Sequence, residues 1–290
     1  MTTAHKEGEF LTDDNIGLRF QAWIPEAPEF FVIYLHGAAA HSGEALNYAS
    51  YITKHANGAV FSFDQRGWGK SSDRKAGHIS SGDDVIQDVM AFVEFIRTEY
   101  NNLSDLSMVL AGHSMGGLIA LRVLIDYQDH FTCATISCPW IATRVNVPFY
   151  IQIFSGLLSA IWPTFSDSLN LKVDELTHDN KIISQYYKEI DDGLRRTHGT
   201  ARWYTEMTKI QKFVFENANQ ITLPTLIMQA GQDLIVKEAA SKDIYNSLGC
   251  DSEDKSWQYY PNLYHELWNE EDRETKTLPV TKAFIERYAK

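Results

Sequence analysis

A serine flanked by glycines, Gly112-His113-Ser114-Met115-Gly116, is where this 290-residue sequence concentrates its chemistry. A serine hydroxyl attacks a carbonyl well only when a base takes its proton and the backbone presents its oxygen. The pentapeptide directly follows the apolar run 107–111 and precedes a helical pattern through Leu118, Ile119, Leu121, Val123 and Leu124. Strand, G-x-S-x-G, helix is the order of a nucleophile elbow, in which a strained turn exposes the serine. The competing reading is a glycine-rich turn holding an ordinary serine.

The base must be a histidine within reach, oriented by a carboxylate. In sheets that carry an elbow the chain order is serine, acid, histidine. Four histidines follow Ser114: His130, His178, His198 and His265. His130 closes the elbow helix at the wrong end of the sheet, and His178 and His198 fall where no strand is expected. His265 lies in the loop after an expected strand at 256–260, and catalytic groups in open α/β sheets gather beyond the carboxyl ends of strands. Asp233 follows the expected strand 225–230 through Gly231-Gln232, so adjacent strands can set it beside His265. Its other reading is a helix-capping aspartate ahead of Ile235-Val236. The oxyanion hole needs two backbone N–H groups. Met115 supplies one, and the loop His36-Gly37-Ala38-Ala39-Ala40-His41-Ser42-Gly43 the other, from Ala38 with Ala39 in reserve.

Other patterns read as structural. His36 and His41 are spaced H-x4-H with no carboxylate between them, which suits a loop-fixing hydrogen bond better than a metal. Gly67-Trp68-Gly69-Lys70-Ser71 looks like the end of a phosphate loop, but Asp64 stands where that pattern needs glycine. Asp64-Gln65-Arg66-Gly67 reads instead as a tight turn pinned by its Asp and Arg. The chemistry calls for no metal and no cofactor.

The elements that must position these residues are legible as alternation. Residues 10–23 suggest an opening hairpin around Asp13-Asp14-Asn15. Strands are expected at 30–35, 59–63, 107–111 and 132–137, with helices at 44–55, 81–100 and after Ser114. Ser81 with Asp84 reads as the cap of the second helix. Strands alternating with helices imply a mostly parallel sheet with helices on both faces. From about 140 to 220 the alternation stops and helical patterns take over. It resumes with a strand at 225–230, a helix at 236–248, a strand at 256–260 and a helix at 278–289. Net charge is −12, from 26 Lys and Arg against 38 Asp and Glu, which argues against a nucleic-acid partner. Three cysteines without a C-x-x-C argue against a disulfide scaffold. The first ten residues lack an apolar signal core, so a cytoplasmic location is expected.

The sequence resembles the α/β-hydrolase group of monoacylglycerol lipases and lysophospholipases, the serine aminopeptidase-like hydrolases. The resemblance rests on His36-Gly37-Ala38 with His41-Ser42-Gly43, Asp64-x-Arg66-Gly67-x-Gly69-x-Ser71, and Gly112-His113-Ser114-Met115-Gly116-Gly117. It continues through Ala230-Gly231-Gln232-Asp233 with Ile235-Val236, and Tyr264-His265-Glu266 with Asn269-Glu270. It implies an α/β-hydrolase fold, Ser114, Asp233 and His265 as the triad, and Ala38 and Met115 as oxyanion donors. It also implies a division into core (1–140), helical cap (141–210) and core (211–290). The cap is the weakest part of the match and is the part that selects the substrate.

Within the cap, residues 147–162 are apolar on nearly every side but too short and interrupted to span a bilayer. One reading buries them against the core, lining an acyl tunnel; the other turns part of them to a membrane or micelle. Either favours an acyl chain over a small polar substrate. Trp203-Tyr204 and Tyr186-Tyr187 read as packing residues. The expected reaction is ester hydrolysis of single-chain lipids, monoacylglycerol first, with lysophospholipase or broad carboxylesterase as the alternative. An exopeptidase would need a cap carboxylate such as Glu175, Asp191 or Asp192 to grip an amino terminus. A hydrolase-fold ligand binder without turnover is the reading from a different class.

Overall fold

In the computed structural model, residues 3–71, 75–144 and 156–290 are described. In chain order the elements are β1 (Thr3–Leu11), β2 (Gly17–Pro25), β3 (Phe30–Leu35), α1 (Leu46–Ala56), β4 (Gly58–Phe63), α2 (Gly82–Glu99), β5 (Ser107–His113), α3 (Met115–Tyr127) and β6 (Cys133–Ser137). After these come β7 (Ser166–Ser168), α4 (Asn180–Asp191), β8 (His198–Thr200), α5 (Ala201–Asn217), β9 (Thr225–Ala230), α6 (Glu238–Ser247), β10 (Lys255–Tyr260) and α7 (Thr277–Ala289). Residues 156–161 are also helical.

Eight strands form one sheet in the order β1-β2-β4-β3-β5-β6-β9-β10. The hairpin β1–β2 is antiparallel to its neighbours, and the strands from β4 to β10 run parallel. Every residue of β3, β4, β6 and β9 is buried, as expected for parallel strands covered by helices on both faces. The two-residue period of β3 sorts its side chains onto those faces. Phe31, Ile33 and Leu35 join Val89, Phe92, Leu118 and Leu121 of α2 and α3 in one core. Phe30, Val32 and Tyr34 join Tyr48, Ile52, Leu278 and Ile285 of α1 and α7 in the other. Exposed Lys6, Glu7 and Glu9 keep the edge strand β1 charged, which discourages further pairing.

The strand order reverses at β3. The chain passes from β3 to β4 on one side, then returns across to β5 on the other. The loops leaving β3 and β5 therefore diverge, and the crevice between them is where open α/β sheets place a site. Leu35 pairs with Gly112, so the His36–Ala38 segment and Ser114 emerge side by side.

The structure departs from the sequence reading in several places. A short antiparallel pair, β7–β8, lies within the stretch expected to be free of strands. It is only three residues per strand, too short for a period to show. The Ser81 hydroxyl accepts from the Asp83 N–H, so the cap closes on the second helical residue, one before Asp84. A 3-10 turn at Ser42–Ala45 precedes α1, which starts at Leu46. Helix α5 runs through position 210, and its Ile210 and Val214 belong to the sheet core. Most of the apolar segment 147–162 lies outside the described residues.

Candidate active site

The elbow depends on glycine for space. A Cβ on Gly116 would fall 2.0 Å from the Leu35 carbonyl oxygen, and one on Gly112 2.4 Å from that of Gly116. Backbone cannot yield as a side-chain tip can. Gly116→Ala is expected to cost about 3 kcal/mol of stability, read in a denaturant titration.

Between those glycines Ser114 takes φ 53 and ψ −114. A non-glycine residue in a sparsely populated backbone region costs about 1–3 kcal/mol and persists only where its surroundings hold it. Ser114 N–H donates to the Ser137 carbonyl at 2.9 Å, and its own carbonyl accepts from Leu118 and Trp140 N–H at 3.0 Å each. Helix α3 has no side-chain cap at its N-terminus. A free helix start favours negative charge, which is what an oxyanion presents. Met115 sits at that start. Ala38 lines the same cavity as Ser114. His36 fixes the loop between them: its Nδ1 is 2.7 Å from the Gly37 carbonyl and its Nε2 accepts from Gln65 N–H at 3.0 Å.

His265 and Asp233 meet across neighbouring strands β9 and β10. His265 Nδ1 lies 2.7 Å from Asp233 Oδ2, and both are buried. The other carboxylate oxygen, Oδ1, accepts N–H from Ile235 at 2.8 Å and Val236 at 2.9 Å. Asp233 does not cap the following helix, which starts at Glu238 with Lys237 before it and no side-chain cap; its Oδ1 instead closes a turn of its own loop while Oδ2 faces His265. Arg144 donates to the Asp233 main-chain carbonyl. Burial works to raise the Asp233 pKa, but the His265 charge and hydrogen bond and the two N–H groups outweigh it and hold the carboxyl below its ordinary value. Burial likewise works to lower the His265 pKa, and Asp233 with Glu266 turns it upward. Glu270 fixes the histidine loop by accepting N–H from Tyr264 at 2.6 Å and His178 at 2.9 Å. The latter ties that loop to the insertion.

Ser114, His265 and Ala38 face one cavity with about 1210 Å³ of atom-free space, its open mouth included. Much of its wall is apolar and comes from the insertion: Leu158, Phe165, Leu169, Leu171, Leu176 and Trp203. Trp203 and Tyr204, read as packing residues, do both jobs. Trp203 stacks on Trp140 at 5.3 Å and also lines the cavity, as does Tyr204. Tyr186 is buried packing and Tyr187 is exposed. Of the carboxylates considered for an amino-terminal grip, Asp191 and Asp192 are exposed and Glu175 pairs with Lys172 at 2.8 Å. None of the three lines the cavity, whereas Asp167 and Glu266 do.

Sequence reasoning missed Arg195, Glu44 and His113 as residues of this neighbourhood. All three are buried at the site. Glu266 stood next to His265 and inside the family motif, but nothing in the sequence said that it turns inward. Buried charge is the signal, and burial is a tertiary property.

The family model described as Hydrolase_4, serine aminopeptidase S33, matches residues 26–272. Among curated proteins, the chain is 28% identical to phospholipase YtpA of Bacillus subtilis, over 92% of this chain and 98% of that protein. It is 24% identical to a monoacylglycerol lipase of Mycolicibacterium smegmatis, over 98% and 99% of the two chains. Among solved structures, a soluble variant of the Saccharomyces cerevisiae monoglyceride lipase, in complex with a substrate analog, superimposes with a TM-score of 0.84 at 20% identity. That match covers 100% of this chain and 97% of the other. The sheet order, the helices on both faces and these matches agree on an α/β-hydrolase fold. The chain belongs to the serine aminopeptidase S33 (Hydrolase_4) family and is a serine ester hydrolase.

Proposed function

We propose that the protein hydrolyses carboxylic esters of single-chain lipids, monoacylglycerols first, through an acyl-enzyme on Ser114. His265 removes the Ser114 proton as the oxygen attacks the ester carbonyl. The N–H groups of Ala38 and Met115 hold the oxyanion, with Ala39 the reserve donor. His265 then protonates the departing alcohol, and water repeats the cycle on the acyl-enzyme. Asp233 keeps the imidazole in the tautomer that leaves Nε2 free to accept. The proposed division of labour keeps 1–140 and 211–290 as core and 141–210 as cap.

The observation that carries the acyl-chain reading is the cavity itself. Its serine and histidine lie beneath an apolar wall supplied by the insertion. Burying acyl methylenes there releases roughly 0.8 kcal/mol each, a gain that a short ester cannot match. Among monoesters of graded chain length, kcat/KM is expected to rise at least about tenfold from a short to a medium chain. A flat series would sink the acyl-chain reading while leaving the esterase reading intact.

The exposed apolar side chains of the insertion support contact with a lipid surface. Leu157, Ile161 and Trp162 are exposed beside Leu158 and Phe165, which line the cavity. The Trp162 ring meets that of the cavity-lining Phe165, and neighbouring exposed apolar side chains mark an interaction surface. Among the described residues no helix is long and apolar enough to cross a membrane. The contact proposed is peripheral. A lysophospholipid substrate is the second reading, favoured by the likeness to the Bacillus subtilis phospholipase. A panel containing both headgroups separates the two.

A further inference from the structure

We propose that Glu44 and Glu266 form a buried carboxyl pair sharing one proton, in which neutral Glu44 holds the oxyanion loop and ionised Glu266 charges the histidine loop. Both act as positioning residues for the triad, and the inference rests on Ser114, Asp233 and His265 playing the parts given above.

The geometry is a closed cluster. Glu44 lies on the 3-10 turn before α1, and its Oε1 accepts the Gly37 N–H at 3.0 Å and the Tyr34 hydroxyl at 3.3 Å. Gly37 precedes the oxyanion donor Ala38, so this bond sets where that donor points. The second oxygen, Oε2, is buried without a hydrogen-bond partner among the described residues. Glu266 follows His265. Its Oε2 accepts from Asn269 Nδ2 at 2.9 Å, and its Oε1 lies 3.7 Å from His113 Nε2. One oxygen of each glutamate and one ring nitrogen of His113 lie within 4.8 Å of one another, and all three residues are buried. The His113 ring packs against the His265 ring at 4.7 Å between centroids.

Two carboxylates this close in a water-poor site do not both ionise: the first proton of such a pair leaves readily and the last is hard to remove. The surroundings choose which one keeps it. Burial, then the charge of Glu266, pushes the Glu44 pKa well up. Burial also opposes Glu266, but His113, Arg195, Asn269 and His265 outweigh it and hold its carboxyl below the ordinary value. His113 is no counter-charge near neutrality, because burial pushes it down to about 4.

The counter-charge is Arg195, from the insertion. Its guanidinium lies 3.6 Å over the Tyr186 ring, its Nε is 3.3 Å from Glu189 Oε2, and its Nη2 is buried without a hydrogen-bond partner. Glu189 in turn meets His41 Nε2 at 3.3 Å. The groups facing Glu266 are thus His113, His265, Arg195, Glu44, Tyr34 and Tyr186. With Glu44 protonated, the triad histidine feels one carboxylate besides Asp233. That second charge stabilises the imidazolium formed during turnover, and Arg195 makes it dependent on the insertion being seated.

The sign follows. Removing the Glu266 charge lowers the His265 pKa, so the base stays deprotonated to lower pH. With a short chromogenic ester, Glu266→Gln is expected to move the acid limb of kcat/KM down by about one pH unit. Glu266→Asp should restore most of the shift, and Glu44→Gln should leave the limb in place whatever its kcat. The wild-type infrared spectrum should show a protonated-carboxyl C=O stretch that persists to about pH 8, far above the ordinary range for glutamate. That band should vanish in Glu44→Gln. A wild type with no such band overturns the pair. A limb that moves in Glu44→Gln but not in Glu266→Gln places the proton on the other residue and overturns the assignment. The band needs neither turnover nor a variant that folds, so a failed esterase reading stays distinguishable from a failed pair.

Discussion

Ser114→Ala is expected to lower kcat for ester hydrolysis by about a millionfold, the scale seen when an activated serine is removed from a working triad. A small residual rate above water should survive, because backbone oxyanion donors and the binding cavity remain. The substitution deletes one oxygen from a residue whose fold role is carried by its backbone. Its N–H to Ser137 and its carbonyl bonds to Leu118 and Trp140 are unchanged in alanine. Thermal stability should therefore hold or rise slightly while turnover disappears. A serine-directed phosphonate probe should label Ser114 in the wild type and nothing in the variant. Intact turnover, or labelling elsewhere, would remove Ser114 from the mechanism.

Asp233→Asn should cost about ten-thousandfold in kcat, with KM little changed. Asparagine keeps an oxygen in place of Oδ1, so the N–H bonds from Ile235 and Val236 survive and the loop keeps its shape. The loss falls on Oδ2. An amide nitrogen facing His265 Nδ1 cannot accept its proton, so the imidazole turns to the tautomer with hydrogen on Nε2. That nitrogen then cannot take the serine proton. The negative charge that raises the His265 pKa is also gone, so the acid limb of the residual activity should move to lower pH. A loss below about tenfold would mean that Asp233 serves principally to hold its own loop through the Ile235 and Val236 N–H groups.

Much of the core was legible because its determinants are local. Full burial of β3 follows from an unbroken apolar run and that of β4 from one interrupted only by Ser62, and the elbow follows from glycines at 112 and 116 that no other residue can replace without striking Leu35 or Gly116 backbone. The pairing of Asp233 with His265 was legible at one remove, since β9 and β10 had to be neighbours for it to form. The short β7–β8 pair was not, because three residues carry no period. Nor was the extent of α5, whose inner face completes the sheet core while its N-terminal turn lines the cavity.

By itself, then, the sequence determined the sheet, the elbow and the chain order of Ser114, Asp233 and His265, because each depends on side-chain period, backbone freedom or chain direction. Only the tertiary structure decided which charges lie behind them. Glu44, His113, Arg195 and Glu266 come from four separate segments and are unremarkable where they stand in the chain. They become a chemical unit when burial removes water and leaves two carboxylates, one imidazole and one guanidinium to settle a shared proton.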